Sequence, residues 1–198
     1  MKINHILTLT VLLLVIGCST EITSFKSGIN KVDKINEKYG VDFKSMPATM
    51  ENAVLMRNDL KGITGISVNA PESFNLFLDY RMKSLEANII SLEAWKYGMK
   101  ATTRDGFGCK SLPIIVNSSV LRNVSAQRGY WTIEILQEFV DKYPEEALSI
   151  NMTQRDVVFS NAFYYTVEKE AGRDKRVIEH FCGHKYDLTT LEMKEEYK

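Results

Sequence analysis

Apolar residues recur along the chain at helical spacing, and alternation of period two is nearly absent. Residues 27–39 carry Ile29, Val32, Ile35 and Tyr39, closed by Gly40. Pro47 opens a second segment to about Leu60, whose apolar side is Met50, Ala53, Val54, Met56 and Leu60. Residues 62–68 combine two glycines with β-branched side chains, which predicts a loop or a short strand. The strongest pattern spans about 70–100: Phe74, Leu78, Leu85, Ile89, Leu92 and Met99 mark one face, joined by Phe77, Met82 and Trp95. Leu85 and Ile89 lie in the middle of this stripe and are expected to be buried. Asn69 stands three residues before Glu72, as in a capping box, and Pro71 is tolerated in a first turn. At 1.5 Å per residue the helix would be about 45 Å long. A rod of that length needs company, so the expected fold is all-α, a helical bundle around a long central helix at about 70–100.

After a glycine-rich turn at 102–109, Pro113 starts an apolar-patterned stretch through Val124, and a further helix is expected over 127–143, ending before Pro144. Thr153 with Asp156 begins another helix that reaches Ala171 and stops at Gly172. Residues 177–181 and 188–197 read as short elements, with the charged tail 192–198 as a fraying helix end.

The N-terminus follows a different logic. Met1-Lys2-Ile3-Asn4-His5 precedes an apolar run from Ile6 to Val15, then Ile16-Gly17-Cys18. A basic start, a short apolar core and a small residue before the cut are the parts of a secretory signal. The run is well short of the ~20 residues that a membrane-spanning helix needs. Val15-Ile16-Gly17-Cys18 resembles the lipobox of prokaryotic lipoproteins. The resemblance covers the first tenth of the chain and implies cleavage before Cys18 and lipidation of its sulfur. It implies export and membrane anchoring at the cell surface or the periplasmic side, which is an address rather than an activity. The expected organisation is a signal peptide at 1–17, a lipidated cysteine and tether at 18–28, and a helical domain at 29–198.

Composition narrows the partners. The 198-residue chain has a formal net charge of zero, and no basic stripe or like-charge block interrupts it. Nothing electrostatic argues for nucleic acid, and membrane contact must come from lipid rather than from a polybasic patch.

Chemistry-bearing residues are sparse. His180, Cys182 and His184 form the one cluster of metal-capable side chains, and Cys109 could supply a fourth ligand for zinc or copper. Once Cys18 is lipidated two cysteines remain, and an exported protein meets oxidising conditions. A Cys109–Cys182 disulfide is therefore the favoured arrangement, ahead of free thiols and of a metal site. Gly106-Phe107-Gly108 lacks the preceding strand and the full spacing of a phosphate loop. No Gly-x-Ser-x-Gly nucleophile signature occurs, and nothing nominates an enzyme or a cofactor. The aromatic groups Tyr130-Trp131 and Phe163-Tyr164-Tyr165 are expected to pack in a core. Sequons at Asn117, Asn123 and Asn151 would need exposed asparagines if they carry sugar.

The leading expectation is a membrane-anchored cell-envelope lipoprotein with a non-catalytic binding or scaffold domain, whose partner is an envelope protein or a small ligand. The alternatives are a metal-binding protein or hydrolase centred on His180, Cys182 and His184, and a small-ligand binder with a pocket between helices.

Overall fold

The structure, a computed structural model, describes residues 21–104, 109–183, 185–187 and 192–197. It is an all-α bundle, with six α-helices among the described residues: α1 (Phe25–Lys38), α2 (Met50–Thr64), α3 (Glu72–Arg104), α4 (Leu112–Lys142), α5 (Pro144–Ser149) and α6 (Gln154–Cys182). A two-residue antiparallel pair, β1 (Tyr186–Asp187) with β2 (Glu192–Met193), is the β-structure among the described residues, and a 3₁₀ turn at Glu195–Tyr197 follows it. The tail expected as a fraying helix is thus a strand and a turn.

Local chemistry explains the helix ends. Ser24 Oγ accepts from the Ser27 amide and Ser27 Oγ accepts from the Ser24 amide, 3.1 and 3.2 Å, satisfying two donors that α1 leaves open. Gly40 sits at φ +65 just after that helix, a backbone conformation that glycine adopts without strain. Thr49 Oγ1 accepts from the Asn52 amide to start α2. The Thr153 amide donates to Asp156 Oδ2 at 2.8 Å, as the sequence signal for α6 requires. Asn69 behaves otherwise: its side-chain amide donates to Glu21 Oε1, tying the segment before α1 to the turn before α3.

Three departures from the sequence expectations share one cause, that local break signals yield to packing. Residues 62–64 remain in α2, and 65–70 form hydrogen-bonded turns rather than a strand. The stretches expected at 113–124 and 127–143 are one helix, α4. Ser125, in the expected gap, and Ser118 are buried and donate to the carbonyls of Ala87 and Ala94 on α3, at 2.9 and 2.8 Å. Gly172 does not stop α6, which runs on to Cys182.

The large apolar side chains gather at one end. Phe74, Phe77, Leu85, Met56, Leu60, Val32, Leu136 and Phe139 are fully buried there. Phe139 stacks with Phe25 and meets Phe77, with ring centroids 5.9 and 5.7 Å apart. Ile22 is also fully buried in this core, and α1 begins at Phe25. The folded domain therefore starts well before residue 29, and the tether expected over 18–28 is shorter by at least the segment from Ile22 onward. Leu85 is buried as expected, whereas Ile89 is half-buried and Trp95 is 62% exposed.

At the other end the helices meet through small residues, Ala94, Ser118 and Ala171. A second, small cluster around Leu112 and Cys182 closes that end. Cys109 and Cys182 are joined by a disulfide, with Cα atoms 5.5 Å apart, which fastens the last turn of α6 to the turn that leads into α4.

Candidate functional site

Helix α4 packs along both α3 and α6, while those two make little contact with each other. A groove results, with α4 as its floor and the other two as walls. Small side chains let the floor lie low: Ser125 and Ala126 are buried, and Gly129 touches the Tyr164 ring so closely that a Cβ there would fall 2.2 Å from it.

The loop 40–48 roofs part of this groove and is fixed by Arg81. Its guanidinium is fully buried and donates to the carbonyls of Phe43 (2.9 Å), Asp42 (3.1 Å) and Ser45 (3.2 Å), and to Asn36 Oδ1 (3.0 Å). Burial pulls the Arg81 pKa down, with Tyr80 and Asp42 opposing that pull. Asn88 adds a further tie, donating from Nδ2 to the Pro47 carbonyl at 3.0 Å.

The resulting cavity holds about 310 Å³, at the lower end of the usual range for small-molecule sites. From α3 come Tyr80, Ser84, Asn88 and Ser91; from α4 Ser125 and Thr132; from α6 Phe159, Ser160, Phe163 and Tyr164; and from the loop Lys44 and Met46. Hydroxyl and amide groups line the depth, and the half-exposed rings of Phe159 and Phe163 stand at the rim.

Electrostatically the cavity is close to neutral. Lys44 Nζ lies 2.9 Å from Asp156 Oδ1. Burial alone would raise the Asp156 pKa, but the Lys44 ammonium and the Thr153 hydrogen bonds hold its carboxyl below the ordinary range. Burial, followed by the neighbouring Tyr80, pushes the Tyr164 phenol up to about 12, so both partners of its hydrogen bond with Thr132 stay neutral at physiological pH. Thr132 Oγ1 donates to the Gly129 carbonyl and Ser125 Oγ to that of Ala87. Ser91, Ser160 and the carbonyl oxygen of Asn88 make no hydrogen bond to a described residue. Such a surface can bind and orient a polar ligand. Among the described residues that line it, no nucleophile is paired with a base.

The residues nominated from sequence lie elsewhere. Cys18, Gly106, Phe107, Gly108 and His184 fall outside the described residues. Cys182 is committed to the disulfide, so it offers no thiolate to the metal cluster proposed with His180 and His184. His180 is exposed, edge-on to Phe181. Among the described residues no three metal-capable side chains converge. Asn117, Asn123 and Asn151 are all exposed. The aromatic groups depart from the expected core packing: Trp131, Phe163 and Tyr165 are each more than half exposed, and Tyr164 alone of its triplet turns inward. Among the described residues helix α6 has one extensive helical neighbour, α4, so one of its faces is covered by a helix.

Arg81 and the cavity lining were missed in the sequence, although both leave a trace. Arg81 interrupts the apolar stripe between Phe77 and Leu85, and Ser84, Asn88 and Ser91 repeat at helical spacing beside it. Among the described residues no helix is long and apolar enough to cross a membrane. No protein-family model, curated protein or solved structure matches the chain.

Proposed function

We propose that the protein is a membrane-anchored lipoprotein of the cell envelope, exported and held by lipid on Cys18, whose helical domain is a non-catalytic module that binds a small uncharged, hydroxylated ligand. The address rests on the lipobox-like Val15-Ile16-Gly17-Cys18. The binding role rests on one observation: a cavity between α3, α4 and α6 that presents the Ser91 and Ser160 hydroxyls and the Asn88 carbonyl oxygen, none of them hydrogen-bonded to another described residue. The ion pair of Lys44 with Asp156 cancels the charge beside it. Polar groups that fix orientation within partly apolar walls are the usual composition of a small-ligand site. A ligand with several hydroxyls matches the lining, and the Phe159 and Phe163 rings suit its less polar faces.

Titration of the isotope-labelled mature domain with neutral hexoses and polyols, followed by NMR, tests the reading. Shifts should centre on Ser84, Ser91, Ser125 and Ser160, and Ser91→Trp should abolish them without unfolding the bundle. No localised shifts with any of these compounds, or equal shifts with a charged sugar phosphate, would contradict it.

A further inference from the structure

We infer that the folded domain rests directly on the bilayer, with the end that carries Glu21, Val68 and Leu148 facing the lipid. The inference depends on lipidation of Cys18 and adds to it an orientation. Only Ser19, Thr20 and Glu21 separate Cys18 from Ile22, which is fully buried in the core. Four residue steps reach about 14 Å at 3.3–3.6 Å each. A headgroup layer takes up roughly 5–8 Å of that, half the difference between a hydrocarbon core of about 30 Å and a bilayer of 40–45 Å. Less than about 10 Å is left, so the domain has no room to stand off from the surface.

The end nearest the anchor is identified by its contacts. Glu21 accepts a hydrogen bond from Asn69, the residue after Val68. Phe25 stacks on Phe139 near the end of α4, and Phe139 meets Phe77 near the start of α3. The turn 65–71 and helix α5 therefore share this end with the chain entry. Each presents a bare apolar side chain: Val68 is 85% exposed and Leu148 67%. In water these two serve no packing purpose, whereas at a lipid interface they would be buried beside the anchor. Glu21 and Glu145 are exposed at the same end together with Lys61 and Lys142, so neither sign of charge dominates there and the attraction is apolar. The seating also places the cavity. Tyr80 to Ser91 lie 8–19 residues along α3 from Glu72, about 12–29 Å from the lipid-facing end along the helix. The groove thus opens sideways into water above the headgroups.

The test uses lipidated full-length mature protein in phosphatidylcholine vesicles. Val68→Cys, Leu148→Cys and Trp95→Cys each carry a nitrobenzoxadiazole dye, and quenching by nitroxide-labelled lipid is measured. Trp95 is 62% exposed but about 35 Å along α3 from Glu72. Quenching should be several-fold stronger at 68 and 148 than at 95, and should not increase with anionic lipid. Equal quenching at all three sites, or none at 68 and 148, overturns the orientation. Protection of those two dyes that depends on protein concentration rather than on quencher lipid would assign the patch to a second copy and also overturn it. Intact mass of the same sample separates the two levels. An acylated protein without quenching at 68 and 148 contradicts the seating alone, while an unacylated one removes the anchor on which it depends.

Discussion

Gly129 on α4 and Tyr164 on α6 are in such close contact that a methyl group on the glycine would lie 2.2 Å from the phenol ring. This contact lowers the floor of the groove and goes with a Tyr164 ring turned into the cavity, while Phe163 stands at its rim and Tyr165 faces outward. Gly129→Ala should therefore act as an overpacking substitution, costing roughly 1–3 kcal/mol and moving the Tyr164 wall. Gly62→Ala is the opposite case, because nothing lies within 4 Å of a Cβ there. In a helix interior that change should stabilise by about 0.5–1 kcal/mol. Denaturant titration of the two variants should give shifts of opposite sign.

Arg81 is a buried cation whose immediate partners are carbonyls and an amide rather than a carboxylate. Arg81→Ala removes the donors from the carbonyls of Asp42, Phe43 and Ser45 and leaves a void in the core. The loss should be roughly 2–5 kcal/mol. Arg81→Lys keeps the charge but loses the planar fork. It should therefore recover only part of the stability, and hydrogen exchange should show faster amides over 40–48 in both variants.

The disulfide should matter chiefly at its own end. It closes a loop of 73 residues, for which the chain-entropy model gives about 4 kcal/mol as an upper guide. At that end α3, α4 and α6 meet through Ala94, Ser118 and Ala171, with little large apolar surface to replace the bond. Reduction, or Cys182→Ala, should raise hydrogen exchange near Cys182 in α6 and near Leu112 in α4. The Phe74–Phe77–Phe139 core should stay protected.

Tyr164 sets a limit at high pH. Its phenol is raised to about 12 by burial, against an ordinary value of 10. The folded state thus holds a proton that the unfolded chain releases. Linkage then lowers stability as pH rises from 10 toward about 12, and the contribution is complete below 10. Tyr80, buried nearby, shifts in the same direction. Tyr164→Phe should flatten the decline without abolishing it, as read from denaturation midpoints between pH 9 and 12.

What the sequence revealed follows the strength of the physical signal. The stripe through Phe74, Phe77, Leu78 and Leu85 specifies α3, and the Thr153–Asp156 pair specifies the start of α6, because apolar period and capping chemistry are local. The gap expected between 124 and 127 and the stop expected at Gly172 both yield to packing: Ser125, in that gap, bonds to a carbonyl on α3, and the glycine stays helical inside α6. Trp131 and Phe163 were misplaced for a related reason. Helical spacing tells which residues share a face, but not whether a neighbour covers that face. The cavity was legible only as a polar repeat at Ser84, Asn88 and Ser91, and its meaning depends on α6 lying across the groove from α3.

The proposal that a lipid-anchored domain works at the membrane surface is tested most directly at the N-terminus. Protein expressed from the full-length chain in a lipoprotein-processing host would be taken from the membrane fraction, and its N-terminal peptide weighed. The expected result is a chain that begins at Cys18 and carries acyl groups on it, with Cys18→Ser unacylated and unprocessed. A chain that begins elsewhere, or an unmodified Cys18 in protein that remains equally membrane-bound after Cys18→Ser, would contradict the proposal.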